Sequence, residues 1–470
     1  MKPSPGPGLK IALVLILTGM WVLPEASSRA ETRRAGTRID GQSRLLSSEP
    51  WPGMDGAMCE WAPPVPGGAG RAAALSPQGS GAQARTATDA ARAAVAARRP
   101  LRTIKDRYAL YSAVAVDVAR DEVVIMDENL FRVLVYDRTA NTPSSAALTE
   151  PKRIIGGPST HLELNCGVYI DPKTGNIYAI NNDTEDHMVV FDRTAKGDTP
   201  PNWKLHTPHG SFGIAVDEEA QELLLTSQHS NAVTTFSKTA RDDDHPTSLL
   251  QGDRTLLADP HGIALDSKLQ LIFVSNFGST ATPRSDGGGF IQYNRTKFTP
   301  GTKKFWPLDP GQMVPGSGRN LPPSITVYDR KAAGNVAPLR VITGPKTQLN
   351  WPAGLAVDSE RGELYVANDG GGSVLVFSTS AGGDVAPLRV LKGDRTQLSY
   401  PSSVFVDTVN DELWVANFGN HTTTVFTRTA DGNTAPIRMI RSAPTGTPAP
   451  ALANARIAYD TKREQILAPN

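Results

Sequence analysis

The chain has few cysteines, since Cys59 and Cys166 are the only two among its 470 residues. Their spacing matches no disulfide framework. Two alternatives remain open: a Cys59–Cys166 disulfide, which export from the cytoplasm would permit, and two unpaired thiols. The missing framework favours the unpaired thiols.

An excess of charge and several catalytic signature motifs are also absent. The 48 Lys and Arg residues balance 47 Asp and Glu residues, for a net charge of +1. This balance implies no strongly basic face, so nucleic acid is not expected as a partner. No nucleotide-binding glycine loop, no GxSxG and no HExxH pattern occurs, which excludes several enzyme classes.

Long hydrophobic runs are missing as well, because the apolar run at residues 11–23 is too short to span a bilayer comfortably. It follows Lys2 and Lys10, and small residues downstream fit signal-peptidase cleavage after Ala30. We therefore expect residues 1–30 to be a signal peptide and the mature protein to be secreted or periplasmic, without an integral membrane segment. An uncleaved membrane anchor is the alternative.

Residues 31–99 are rich in Ala, Gly, Arg, Ser and Pro and contain few aliphatic side chains to bury. This composition predicts a mostly disordered linker. Across the whole chain, 39% hydrophobic residues together with 42 Gly and 37 Pro are typical of a turn-rich, all-β protein.

A repeated unit organises the chain after residue 100, and its clearest copy lies at residues 351–389. There the runs GLAVD, ELYVAN, SVLVF and APLRV are rich in Val, Leu and aromatic residues and are separated by Gly, Asp, Asn or Ser. Runs of this length and composition predict four β-strands joined by turns.

The Asp residue that ends the first strand of this unit recurs seven times, about 49 residues apart. A period of this size, built from four strands, predicts a β-propeller, because each blade leaves apolar faces that its neighbours must cover. We expect residues 100–470 to form seven blades, with six blades and one copy outside the ring as the alternative. The seven positions are Asp117, Asp171, Asp217, Asp266, Asp358, Asp407 and Asp460.

The two ends of the repeat region complement each other. Residues 100–106 match a fourth strand, whereas residues 456–470 supply only a first and a second strand. A closing blade assembled from both ends would remove two exposed sheet edges. One blade also carries an insert at about 278–322, which contains five aromatic residues. A disordered insert and one folded over the channel both remain open, and the aromatic content favours the folded one.

A small polar residue follows each repeated Asp by ten positions, where the second strand ends. In an up-and-down blade this end shares one face with the start of the innermost strand, so we expect these residues to surround the channel mouth. His261, five positions before Asp266, belongs to the same face. A structural role in satisfying backbone groups is the alternative for these residues and for the repeated Asp, which suits a hairpin turn. The candidate ligand-binding residues are His261, Asn276, Asn368, Asn417, Asn181 and Asp127.

The unit GLAVD…ELYVAN…SVLVF resembles the NHL-repeat propellers and the wider group of SMP-30/gluconolactonase-like proteins, which are typically six-bladed. The resemblance implies a divalent cation such as Ca²⁺ or Zn²⁺ at the channel mouth, with His261, Asn276 and Asp127 as the analogous ligands by position. No acidic residue matches the lactonase Glu ligand. Two functions follow: an exported, non-catalytic scaffold for a protein, peptide or glycan and, as the alternative, a metal-dependent lactonase-like hydrolase or lyase.

Overall fold

The computed structural model describes residues 106–182, 185–228, 230–278, 321–447 and 449, and the backbone of two short strands at Ala458–Asp460 and Gln465–Leu467. These residues belong to the compact unit Trp51–Asn470. The predictions for the signal peptide, the linker, Cys59 and most of the insert fall outside the described residues.

The described chain forms six four-stranded antiparallel sheets, each of which is one blade with its strands paired in chain order. Blade 1 consists of β1 (Tyr111–Asp117), β2 (Glu122–Asp127), β3 (Arg132–Asp137) and β4 (Arg153–Gly156). Blade 2 consists of β5 (Asn165–Ile170), β6 (Ile177–Asn181), β7 (His187–Phe191) and β8 (Trp203–His206). Blade 3 consists of β9 (Ser211–Asp217), β10 (Glu222–Ser227), β11 (Ala232–Ser237) and β12 (Ser248–Gln251).

The second half of the ring repeats this arrangement. Blade 4 consists of β13 (Pro260–Asp266), β14 (Leu271–Asn276), β15 (Ser324–Asp329) and β16 (Arg340–Thr343). Blade 5 consists of β17 (Pro352–Asp358), β18 (Glu363–Asn368), β19 (Ser373–Ser378) and β20 (Arg389–Lys392). Blade 6 consists of β21 (Pro401–Asp407), β22 (Glu412–Asn417), β23 (Thr422–Thr427) and β24 (Arg438–Arg441).

Each blade buries both of its faces, which explains why the inner strands are almost continuously apolar. In β18, Leu364 and Val366 pack against blade 4, whereas Tyr365 and Ala367 alternate with them and pack against blade 6. Successive side chains of a strand point to opposite faces, so one strand contributes to two separate cores. The prediction of an all-β propeller is confirmed.

The first strands of neighbouring blades approach each other closely around the axis. A Cβ atom on Gly262 would lie 2.2 Å from the carbonyl oxygen of Ala353 in the next blade, and one on Gly213 would lie 2.5 Å from that of His261. The recurring glycine of the repeat is therefore required by backbone contact between blades. The same register position carries the small residues Ala113 and Ser403 in blades 1 and 6.

One hydrogen bond recurs at every junction between blades and shows how the ring closes. The amide of Gly197 in blade 2 donates to Ile154 of β4 at 2.7 Å, and the amide of Gly432 in blade 6 donates to Val390 of β20 at 2.9 Å. At the last junction the amide of Thr142 in blade 1 donates to Met439 of β24 at 2.7 Å. Blades 1 and 6 are therefore direct neighbours.

The seven-blade prediction is wrong, and its alternative of six blades is confirmed. The copy that contains Asp460 forms a two-stranded sheet, β25 (Ala458–Asp460) with β26 (Gln465–Leu467), whose strands pair with each other and with none of the six four-stranded blades. The ring needs no closing blade because blade 1 already covers the free face of blade 6, where Tyr111 and Val114 pack with Trp414 and Ile440. Of the predicted closing strand at 100–106, residues 100–105 fall outside the described residues.

The repeated Asp residues lie in the hairpins between the first and second strands, at the end of the ring that we call the turn face. Asp217 Oδ1 accepts hydrogen bonds from the amides of Glu219 and Ala220, at 3.0 and 2.9 Å. The predicted turn role is confirmed for the five residues whose carboxylates accept hairpin amides, namely Asp171, Asp217, Asp266, Asp358 and Asp407. A cation from the next blade also reaches this face, as in the ion pair between Arg330 Nε and Asp217 Oδ2 at 2.7 Å.

Within the described ranges, no helix reaches the length and apolar character needed to cross a membrane.

Candidate functional site

The central channel is lined by the first strand of every blade and encloses a cavity of about 670 Å³. Its wall is mainly aliphatic, with residues such as Val168, Ile214, Leu355 and Val406. A polar ligand would find few hydrogen-bonding partners along this wall. Polar chemistry is concentrated instead at the mouth, which is the end of the channel where the first strands begin.

The four predicted asparagines are buried at the ends of the second strands, and they bind backbone groups. Asn276 Oδ1 accepts the amide of Ala258 at 3.0 Å, and Asn368 Oδ1 accepts the amide of Asn350 at 2.7 Å. Both acceptors hold the loop that enters a first strand against the end of the second strand. Asn181 and Asn417 make the corresponding bonds in blades 2 and 6, to Glu163 and Ser399.

Asp127 occupies the corresponding position in blade 1 and is fully buried. Its Oδ1 accepts the amide of Leu110 at 3.0 Å, and its Oδ2 pairs with Arg132 Nε at 2.8 Å. Burial raises the pKa of Asp127, while Arg132 opposes the shift. In these contacts the polar positions stabilise the loops, and a ligand role for them stays a prediction.

His261 lies in a stack of aromatic side chains at the mouth. The centroid of its ring lies 3.5 Å from that of Phe277, and the two rings are almost parallel. The ring centroid of Phe212 lies 4.4 Å away on a tilted ring. Phe277 in turn stacks on Trp351, with 5.6 Å between ring centroids. We call these four residues the aromatic stack. It extends across blades 3, 4 and 5.

Local backbone structure places the exposed end of this stack. Trp351 directly precedes Pro352, the first residue of β17, and has a positive φ of 51°. This conformation turns the chain sharply into the strand and leaves 36% of Trp351 exposed. Asp259 and Tyr400 have the same conformation before the proline residues that begin β13 and β21, with φ of 55° and 46°.

Sequence reasoning missed a second ring, one residue beyond the polar positions. The amide of each member donates to the residue that precedes a first strand, as Asp369 does to Trp351 at 3.0 Å and Phe418 does to Tyr400 at 3.0 Å. We call this set the mouth ring. Alternation along a strand could have indicated it, because adjacent side chains point to opposite sides. Its members are Glu128, Asn182, Gln228, Phe277, Asp369 and Phe418.

Two polar members of the mouth ring, Asn182 and Gln228, are linked by a hydrogen bond between blades 2 and 3. Gln228 Nε2 donates to Asn182 Oδ1 at 3.4 Å, and Asn182 Nδ2 donates to the carbonyl of Ser211 at 3.2 Å. Cys166 is buried next to Asn182 and is a free thiol in this structure. The alternative of a Cys59–Cys166 disulfide stays a prediction, since Cys59 falls outside the described residues. Burial raises the pKa of the Cys166 thiol.

Three carboxyl groups of the mouth are desolvated and pair with no Arg or Lys of the described residues, namely those of Glu128, Asp369 and Asp259. Burial raises the pKa of Glu128 to about 8, with a smaller contribution from the charge of Asp127. Burial alone raises the pKa of Asp369 to about 7 and that of Asp259 to about 8. Among the described residues, Asp259 is close to one basic group, His261, with 3.6 Å between Oδ1 and Nδ1. Perturbed acids of this kind are more frequent at functional sites than elsewhere.

Metal binding at the mouth was one prediction from sequence. In the described ranges, no group of three or more His, Cys, Asp or Glu side chains is arranged to hold a metal ion. His261, Asn276 and Asp127 do not form such a group, and a Ca²⁺ or Zn²⁺ cofactor stays a prediction.

Comparison with known proteins shows no family for this chain. No protein-family model and no curated protein matches the chain. Among solved structures, a functionally unknown protein from Desulfotomaculum acetoxidans is 14% identical, with a TM-score of 0.43 over 73% of this chain and 89% of that one. The propeller architecture expected from the resemblance to NHL-repeat and SMP-30/gluconolactonase-like proteins is confirmed by the six blades of the structure itself, and membership of that family is not shown.

Proposed function

We propose that the protein is a non-catalytic binding scaffold that holds a protein, peptide or glycan ligand at the channel mouth. The observation that carries this proposal is the aromatic stack, which runs from Phe212 through His261 and Phe277 to the exposed ring of Trp351. Exposed aromatic rings offer a large contact area at a low cost in side-chain entropy, and they are common in binding surfaces.

Rigidity of the mouth supports the proposal. The amides of Phe277 and Asp369 are hydrogen-bonded to the loops that precede β13 and β17. Asn276 and Asn368 fasten the same loops through their side chains. A surface fixed in this way is organised before a ligand arrives, which lowers the entropy lost on binding.

Export, as residues 1–30 predict, would place this surface outside the cytoplasm, and the localisation stays a prediction. The lactonase-like alternative gains no specific support from the geometry, since the three residues analogous to metal ligands make separate contacts.

A combined peptide and glycan microarray tests the proposal with the full-length chain and a Phe277→Ala, Trp351→Ala variant. We expect the wild-type protein to retain a set of probes that the variant loses, while circular dichroism shows both proteins folded. Binding that is identical for the two proteins, or no binding by either, would show that the mouth is not the ligand site.

A further inference from the structure

We infer that the aromatic stack and Asp369 together bind a cationic side chain of a peptide or protein, with the planar guanidinium of arginine preferred, an inference that rests on the proposed function. It narrows the class of ligand from any polar partner to a basic one.

The first reason is the position of Asp369 beside the exposed end of the stack. Its amide donates to the carbonyl of Trp351 at 3.0 Å, so the two residues are held together by the backbone. In the part of the chain that the structure describes, no group donates a hydrogen bond to the Asp369 carboxylate and no cation pairs with it. A ligand that carries a positive charge would supply the missing partner.

The second reason is the chemistry of the rings. A guanidinium ion stacks on aromatic faces through cation–π attraction and presents a fork of donors that fits a carboxylate. Trp is the strongest cation–π acceptor among the aromatic side chains. Trp351 supplies an aromatic face, and Asp369, joined to it by a backbone hydrogen bond, supplies a carboxylate. These are the two kinds of group that the face and the edge of a guanidinium bind.

The third reason is a contrast with the turn face. There several carboxylates pair with cations of this chain, as Asp217 does with Arg330 and Glu363 does with Arg389. Asp259 lies beside His261, with 3.6 Å between its Oδ1 and His261 Nδ1, and adds a second carboxyl group, which ionises as the pH rises through about 8. The mouth thus has the charge complementary to a basic ligand.

The same ring contains a natural control. Tyr400 occupies the position of Trp351 in the next blade and is 53% exposed, with a similar backbone conformation. Its mouth-ring neighbour is Phe418, which carries no charge. An aromatic residue without an adjacent acid is expected to contribute little to the recognition of a cation.

Calorimetry with the full chain tests this inference, using acetyl-Gly-Gly-Arg-Gly-Gly-amide and its isosteric, neutral citrulline analogue as probes. At pH 8 we expect the arginine peptide to bind about tenfold more tightly than the citrulline peptide. Trp351→Ala and Asp369→Asn should each remove that preference, while Tyr400→Ala keeps it. Asp369→Asn is nearly isosteric, so it separates loss of charge from loss of folding.

The pH dependence gives a readout that a structural role would not change. The ionisable groups facing the patch are His261 at the start of β13, Asp259 before it and Asp369 after β18. Because the pKa of Asp369 lies at about 7, the arginine peptide should bind more weakly at pH 6 than at pH 8, with proton release on binding. Asp369→Asn should reduce this dependence.

Equal affinity for the two peptides, or equal losses in the Trp351→Ala and Tyr400→Ala proteins, would overturn the inference. The proposed function would survive that result if the microarray still showed neutral probes held at the mouth. Arginine selectivity that depends on Trp351 and Asp369 would support both the inference and the proposed function.

Discussion

The two ends of the propeller bury acidic side chains in opposite ways. At the turn face, Arg330 pairs with Asp217, and Arg389 pairs with Glu363 at 2.7 Å. At the mouth, Glu128 and Asp369 are desolvated without a cation of the described chain beside them. Each end has an exception, since Asp127 at the mouth pairs with Arg132 and Asp266 at the turn face has an unpartnered oxygen among the described residues. The paired acids stabilise the fold, whereas Glu128 and Asp369 are candidates for function.

This difference appears as pKa shifts of opposite sign. The hydrogen bond from Arg389 lowers the pKa of Glu363 to about 2, against the effect of burial. Its stabilising contribution is complete above the pKa of about 4.3 in the unfolded chain and is lost as the pH falls through about 2. The mouth acids have raised pKa values, so their contribution is present below about 4 and is lost as the pH rises through 7 to 8.

The largest expected effect comes from breaking the turn face at Arg330, whose side chain is only 6% exposed. Replacing it with Met leaves Asp217 buried without its cation, so we expect the free energy of unfolding to fall by about 3 kcal/mol. Urea denaturation followed by circular dichroism measures the loss.

Arg361→Met is the matched control, because the Arg361 side chain is 44% exposed and pairs with Asp358 within one turn. Its removal should cost less than about 1 kcal/mol, as expected for a solvent-screened pair. Equal losses for the two variants would mean that burial does not decide the strength of these ion pairs.

An intermediate effect is expected at the mouth, from the double variant Glu128→Gln, Asp369→Asn. The wild-type protein should lose stability between pH 5 and pH 9 as these two carboxyl groups ionise in a desolvated site. The variant should lose about 1–2 kcal/mol less over this range, since its amides cannot ionise. This is well under the roughly 6 kcal/mol that the full pKa shifts would give, because both side chains are half-buried and keep some contact with solvent. Unfolding in urea at both pH values measures this, with Glu360→Gln, at a position 79% exposed, as a control. Parallel pH profiles for all three proteins would contradict the raised pKa values.

The smallest expected effect sharpens the comparison at one incomplete junction of the turn face. Asp266 is fully buried, and its Oδ2 has no hydrogen-bond partner among the described residues. Thr379 stands in blade 5 where the equivalent residue of blade 4 is Arg330. Thr379→Lys should supply the missing cation and raise the free energy of unfolding by about 0.5–1 kcal/mol. A higher melting temperature would show this gain. Ser378→Lys, one residue earlier, serves as the control; a gain shared by both variants would attribute it to net charge.

The propeller was predictable from the sequence because its repeats carry both apolar periodicity and turn residues. GLAVD, for example, contains the aliphatic face of a first strand and the Asp of the following hairpin. The number of blades was not predictable in the same way, since the copy around Asp460 matches the repeat but the ring closes without it. Closure depends on the angle between packed sheets, which a repeat count does not contain.

The site was only half predictable. His261 was found because it is the one imidazole at its register position, and the structure places it in the aromatic stack. Asn276 and Asn368 were also placed at the correct end of the blades, but their amide groups bind backbone. Glu128 and Asp369 were missed, because burial without a partner is a property of the packed ring and leaves no mark in the local sequence.

Closure of the ring by direct contact has a topological consequence. Where the two ends of the ring meet, the carbonyl of Ala109 accepts hydrogen bonds from Ser442 Oγ at 2.7 Å and from His421 Nδ1 at 2.9 Å. No blade is shared between the two ends, so the junction between blades 6 and 1 is of the same kind as the other five. The ring therefore does not depend on which of its six junctions lacks a covalent connection between blades. Each blade is a complete four-stranded unit.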